Sequence, residues 1–370
     1  TAHRTLLHEA ISESRLNFLA VSPRANTFIT EDDKQQVQFW HVDNEHPEMS
    51  WAVLWDEIWY ESYPEPSYTW QSSSASNDFE PKFSLMPLAF VTLKAAFYAM
   101  LFAMPLAIMG TIYTAYFMAP KMRTYVKPTI EIMEALPTVI LGFLAGLWLA
   151  PIIESHLPGV FSMLIILPMC VLIFAFGWKS LPKEIRQLVP DGWQAALLIP
   201  VLLFTGWLAM ILSLPMENLF FNGDMKIWLS ETLGLDYDQR NSLVVGIAMG
   251  LAVIPTIFSI TEDAIFSVPK YLTQGSLALG APPWQTLTGV VLLTASPGIF
   301  SAVMIGLGRA VGETMIVLMA TGNTAVMDFS IFEGMRTLSA NVAVELPESE
   351  IDSSHYRILF LAALVLFVVT

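Results

Sequence analysis

Five stretches of this chain contain no Asp, Glu, Lys or Arg: Ala95–Ala119, Ala135–Ile153, Ser155–Trp178, Gly192–Met216 and Asn241–Thr261. A helix of roughly 20 apolar residues is enough to cross the hydrocarbon core of a bilayer. One such run would suit a buried helix of a soluble protein, but five in one chain exclude that reading. Composition agrees, with 54% hydrophobic and 14% charged residues against about 25% charged in soluble domains. Mean hydropathy is +0.55. The fold class expected is an all-α polytopic membrane protein. Its hydrophobic segments fall at about 86–118, 129–152, 160–178, 193–214, 241–266, 291–320 and 356–370.

Residues 1–84 are different. They are polar, hold Trp40, Trp51, Trp55, Trp59 and Trp70, and carry more acids than bases. The aromatic and β-branched stretches Val37–Val42 and Trp51–Tyr60 predict part of a mixed or β-rich domain, and Ser-rich Gln71–Asn77 reads as a linker. The domains expected are thus 1–84 and a transmembrane domain, 85–370. Arg4, His8 and Glu9 break any signal-peptide pattern, and the last apolar run is too short to span, so sequence is expected to be missing at both ends. The single cysteine, Cys170, excludes an intrachain disulfide.

Charge sets the orientation. Lys121, Arg123 and Lys127 cluster in the first short connection, Lys179, Lys183 and Arg186 in the third, and Lys270 lies in 267–290. The alternate connections are acidic. Residues 215–240 carry Glu217, Asp224, Glu231, Asp236 and Asp238, and 321–355 holds six acids against Arg336. The positive-inside rule places 119–128, 179–192 and 267–290 in the cytoplasm, with 1–84 and the acidic loops outside. The net charge of −15 is then mostly an outward-facing charge, which would solvate that face and would not attract an anion.

The sixth segment holds the charges that need explaining. Arg309 lies well beyond Val291, and a charge at the bilayer centre costs at least about 2.5–3.5 kcal/mol. Arg309 and Glu313, four residues apart, would share a helical face and pair. Gly308 and Gly312 form a GxxxG that would let a neighbouring helix approach. Two readings stand: a structural ion pair, or a guanidinium that binds an oxyanion, with Glu313 holding it when the site is empty. Thr314 would donate to the anion or bond its own backbone. Lys94 is expected to snorkel outward, and Glu131 and Glu134 to be interfacial. The six histidines show no paired spacing and no Walker motif is present. Neither a metal site, a catalytic residue nor a nucleic-acid partner is therefore expected.

Residues 267–300 form an apolar, punctuated segment in which Gly280 ends a helix with a positive φ and Pro282–Pro283 turns the chain. It would dock on another protein or rest on the membrane surface. The segment resembles the coupling loop of ABC importer permeases. Gln274-Gly275-Ser276 stands at the EAA place, Leu279-Gly280-Ala281 matches LGA, and Trp284-Gln285-Thr286 matches WQT. Ile254-Pro255-Thr256, Pro297-Gly298-Ile299 and the RAxGET run Arg309–Thr314 extend the likeness to PstC-like permeases of the Pst phosphate importer. Residues from Ile112-Tyr113 to Leu136-Pro137-Thr138 also fit, so that it covers roughly 86–152 and 241–322. Departures are Gln274 for the usual Glu and Leu292-Leu293 for the usual LP.

The resemblance implies a MetI-like helical core in the inner membrane, with lipid around it. It implies a PstA-like permease, a PstB-like ATPase dimer holding ATP and Mg, and a PstS-like binding protein as partners. Arg309 and Glu313 fall at that family's transport-critical positions, and Leu279, Gly280, Ala281 and Trp284 in the loop that docks on the ATPase. The alternatives are a permease for another oxyanion (sulfate or molybdate) and a membrane sensor that moves no substrate. The hairpin 160–214 is extra to a minimal permease of this kind.

Overall fold

The computed structural model describes residues 15–22, 27–41, 49–60, 63–73, 81–186, 189 and 193–370. Two compact units divide the chain, one built on residues up to Pro87 together with Glu348–Leu361, the other on Leu88–Pro347 with Ala362–Thr370.

The first unit carries an antiparallel sheet in the order β1 (Leu16–Val21), β2 (Thr27–Asp32), β3 (Val37–His41). Trp40 stacks on Phe28 at 5.6 Å and donates its indole N–H to Thr30. The stretch from Trp51 is not a strand: Trp51–Trp55 is a helix, α1, because the Ser50 hydroxyl accepts from the Val53 N–H and caps it. A second pair of short strands, β4 (Trp70–Gln71) and β5 (Lys82–Phe83), places Trp70 and Phe83 against His355. This ring cluster brings Glu348–Leu361 into the unit. Residues 74–77 of the expected linker lie outside the described residues.

Among the described residues, six helices are long and apolar enough to cross a membrane: α2 (Met86–Phe117), α4 (Thr138–Ser155), α5 (Leu157–Ser180), α6 (Leu198–Phe220), α7 (Ser242–Phe266) and α9 (Pro283–Gly312). Shorter helices stand between and after them: α3 (Pro120–Glu134), α8 (Lys270–Ala278), α10 (Met315–Ala320), α11 (Leu338–Glu345) and α12 (Ser354–Val369). Two expected segments are broken. The 129–152 segment divides at Ala135–Pro137, since Pro137 cannot continue α3 and instead sits at the N-cap of α4. The 291–320 segment divides at Glu313, whose backbone is extended. It also starts earlier than its pattern suggests, because Pro283 opens α9 at the first helical position.

The second unit's core lies around α7, which buries Val244, Val245, Met249, Val253 and Ile257. Glycines set how closely its neighbours approach. A Cβ on Gly250 would meet Phe102 of α2 at 2.8 Å, and one on Gly306 of α9 would meet Ile257 at 2.6 Å. On α4, a Cβ at Gly142 would meet Ile316 Cα at 2.9 Å, and one at Gly146 would meet the Met319 carbonyl at 2.5 Å. These pairs, Gly246/Gly250 and Gly142/Gly146, are the close GxxxG contacts. Gly308 and Gly312 are not: their nearest neighbours are atoms of Thr370 at 3.4 and 3.9 Å. The α5–α6 hairpin packs on itself, with the Ser213 hydroxyl accepting from the Gly159 N–H. Its outward side chains, Leu164, Ile165 and Leu203 among them, are exposed as lipid-facing residues would be.

Lys94 does not snorkel outward. It is 5% exposed, within reach of the charges of Asp328 and Glu333.

Gly146→Val places methyls against a backbone carbonyl that cannot yield. It should destabilise the helical unit by about 1–3 kcal/mol, the usual cost of overpacking, lowering the midpoint of thermal unfolding in detergent. Gly110→Ala, where no atom lies within 4 Å, should leave that midpoint in place.

Candidate functional site

Helix α3 is mostly polar and buries none of its residues. Arg123, Lys127 and Glu134 recur at helical spacing, so one face carries two cations and then a carboxylate. That face meets α7. Glu262, fully buried near the end of α7, takes both cations: Arg123 donates from Nε (3.2 Å) and Nη2 (2.9 Å) to one carboxylate oxygen, and Lys127 Nζ lies 2.9 Å from the other. The Arg123 guanidinium also lies over the Phe266 ring at 3.9 Å. Hydrogen bonding with Glu262 raises Lys127 above its ordinary value of 10.5 and keeps it charged. Breaking a buried pair costs about 3–5 kcal/mol, because the remaining charge is stranded.

At the other end of α3 stands a second polar cluster. Arg309 Nη1 donates to Glu134 Oε1 at 3.1 Å and to the Thr256 hydroxyl, and Thr256 in turn donates to Glu134 at 3.1 Å. Arg309 and Glu134 are both part-exposed, 29% and 44%. The Nε and Nη2 groups of Arg309 make no hydrogen bond among the described residues. One edge of the guanidinium is therefore held and the other is open, in the fork geometry that suits two oxygens of an oxyanion.

Glu313 is not the partner of Arg309. Helix α9 ends at Gly312, so the four-residue spacing no longer places the two on one face. Glu313 instead accepts from the Met315 (3.1 Å) and Ile316 (3.2 Å) N–H groups at the start of α10, which favour a negative charge. Ser339 donates to the Glu313 carbonyl at 2.8 Å. Thr314 donates to the Gly312 carbonyl at 3.3 Å. Glu134 and Thr256 had no such role in the sequence reading. Their signal was a carboxylate just before Leu136-Pro137, at a helix break.

The 270–286 loop is built as its glycine suggests. Gly280 has φ +87°, its N–H bonds the Leu277 carbonyl, and the Ala281 N–H bonds that of Ser276. This paired closure ends α8 and requires a left-handed residue. Ser276 and buried Thr286 share a hydroxyl bond at 2.9 Å, tying α8 to the base of α9. No residue of α8 is buried. Leu279 is 92% and Trp284 65% exposed, which leaves apolar side chains uncovered beside a rigid turn.

A loop, 321–337, folds back on the start of α7. The Asp238, Ser242 and Leu243 N–H groups donate to the Phe332, Glu333 and Ile331 carbonyls. Burial, the nearby charge of Asp328 and a hydrogen bond with it push the Glu333 carboxyl up from its ordinary 4.5, with Lys94 pulling the other way.

The spans, the broken helices and the exposed 270–286 turn define a polytopic membrane protein. Relatives agree. The chain is 26% identical over 294 residues to the probable ABC transporter permease protein YqgH of Bacillus subtilis, covering 79% of this chain and 70% of that one. It is 25% identical to the phosphate transport system permease protein PstC 1 of Mycobacterium tuberculosis (78% and 69% covered). Identity to PstC of Mesorhizobium japonicum is 29% (60% and 69% covered). No family model matches the chain. Over most of its length the chain is similar to PstC permeases.

Because Glu333 holds its proton more tightly in the fold than in the unfolded chain, its contribution to stability is complete below its ordinary 4.5 and falls as pH rises through the raised value. Protection of the Asp238 and Ser242 amides against hydrogen exchange should decline across that window. Glu333→Gln should flatten the decline.

Proposed function

We propose that this chain is a transmembrane permease subunit of an ATP-driven importer that carries inorganic phosphate across the bacterial inner membrane. The domain boundary at 84/85, with residues 1–84 periplasmic, belongs to this reading. So do a PstA-like permease partner, a PstB-like ATPase dimer and a PstS-like binding protein. ATP and Mg would be held on the ATPase, with no cofactor in this chain.

The observation that carries the reading is the half-engaged Arg309. A guanidinium held on one edge by Glu134 and Thr256, with its other edge open, binds two phosphate oxygens bidentately. Glu134 competes with the anion for the same cation, so the anion is held and then released. An unopposed buried Arg would bind a divalent anion too tightly to turn over. Glu313 acts at one remove, by fixing the break at which Arg309 and Thr314 are presented. The exposed apolar turn at Leu279, Gly280, Ala281 and Trp284 supplies the docking surface through which an ATPase would act. The names of the PstC relatives support phosphate as the cargo.

The test is ATP-dependent uptake of labelled phosphate into vesicles holding the full assembly. Arg309→Gln removes the charge-assisted bonds to the anion, worth about 1.5–3 kcal/mol, so uptake should fall roughly 10- to 100-fold with assembly intact. Normal uptake in Arg309→Gln would reduce Arg309 to a structural charge. Uptake of sulfate or molybdate but not phosphate by the intact assembly would overturn the cargo.

A further inference from the structure

The two polar clusters on α3 are unequal. At the first, Arg123 and Lys127 grip a carboxylate that is completely buried; at the second, Glu134 and Arg309 form a single pair that is open on one side. The spacing fits antiparallel helices. Seven residues separate Lys127 from Glu134 and six separate Glu262 from Thr256, each about 9–11 Å of rise. The grip on α7 is thus firm near the coupling loop and weak at Arg309.

What flanks α3 allows it to move. Before it, Met118 and Ala119 have extended backbone; after it, Pro137 breaks the helix. Beyond that break, α4 is pressed on α10 at Gly142 and Gly146 and cannot follow. Because α3 buries no residue completely and its apolar Met122, Val126, Ile130 and Met133 are only half-buried, little apolar contact is lost when it tilts. Helix α7 runs into α8 through only Ser267–Pro269, so force on the coupling turn reaches the last turn of α7, where Glu262 and Phe266 lie.

We propose that α3 is a gate that pivots on Glu262 and carries Glu134 to and from Arg309, with Glu262, Arg123 and Lys127 as positioning residues for anion release. This rests on the transport reading above. In the closed position seen here, Glu134 occupies Arg309. Tilting α3 about the Glu262 pivot withdraws the competing carboxylate and leaves the whole guanidinium to the anion. Return of Glu134 then expels it.

The test loosens the pivot without touching Arg309 or Glu134. In a Cys170→Ser background of the full assembly, spin labels on exposed Thr129 of α3 and Thr288 of α9 report the position of the gate. Arg123→Gln should broaden the distance distribution, and Arg123→Lys, which keeps the charge, should restore it. In uptake, Arg123→Gln should lower KM for phosphate and kcat together, each by about fivefold or more, because Glu134 no longer returns to displace the anion. A loss of folding would instead lower kcat alone.

An unchanged label distance in Arg123→Gln would overturn the gate, as would a fall in kcat with KM unchanged when uptake is counted per assembly that elutes intact on size exclusion. The distance measurement needs no cargo. An assembly that moves no phosphate would defeat the transport reading while the labels still judge the pivot.

Discussion

A guanidinium inside an apolar bundle must have a partner, and much of this structure follows from supplying one to Arg309. The cost of an unpaired charge at membrane depth is several kcal/mol, so a carboxylate has to be brought to it. The chain does this with α3, a polar helix laid along α7 with no buried residue of its own. Glu134 at its end reaches Arg309, and Thr256 from α7 completes the triangle. The same solution raises a second problem, since a helix with no fully buried residue needs another hold. Arg123 and Lys127 on buried Glu262 provide it.

Stiffness is distributed accordingly. Helices α2, α7 and α9 approach at glycines, and α4 meets α10 in the same way, so that backbone lies against side chain with no room to slide. Close packing of this kind resists gradual deformation and moves as a block. Against that block α3 is held chiefly by ionic and hydrogen bonds and by Arg123 over the Phe266 ring, between a proline break and an extended turn. A polar, replaceable contact beside a rigid frame is what a site needs if it is to bind and release the same anion in each cycle. Small-residue packing at Gly306 against Ile257 keeps Arg309 in fixed register with α7.

Much of this was legible in the residues. Uncharged runs located the spans, because backbone in lipid must satisfy itself within helices. Gly280 between Leu279 and Ala281 announced a left-handed stop, which φ +87° bears out. The partner of Arg309 was not legible. Four-residue spacing implies pairing only while the helix continues, and Gly312-Glu313-Thr314 contains no proline to announce that it stops. Glu134 looked interfacial because its distance from the basic loop was counted along the chain, whereas α3 carries it to the middle of α7. GxxxG motifs occur at several places, and sequence alone does not say which of them faces a helix; Gly142/Gly146 does, and Gly308/Gly312 meets only Thr370.

The central claim is that Glu134 and the anion compete for one cation. Equilibrium binding of labelled phosphate to the detergent-solubilised assembly, without ATP, measures that competition most directly. With Glu134→Gln the competitor loses its charge, and the account predicts phosphate binding tighter by about tenfold, the factor given by 1.4 kcal/mol. Binding that is unchanged or weaker in Glu134→Gln would mean that the carboxylate does not oppose the anion, and would contradict the account.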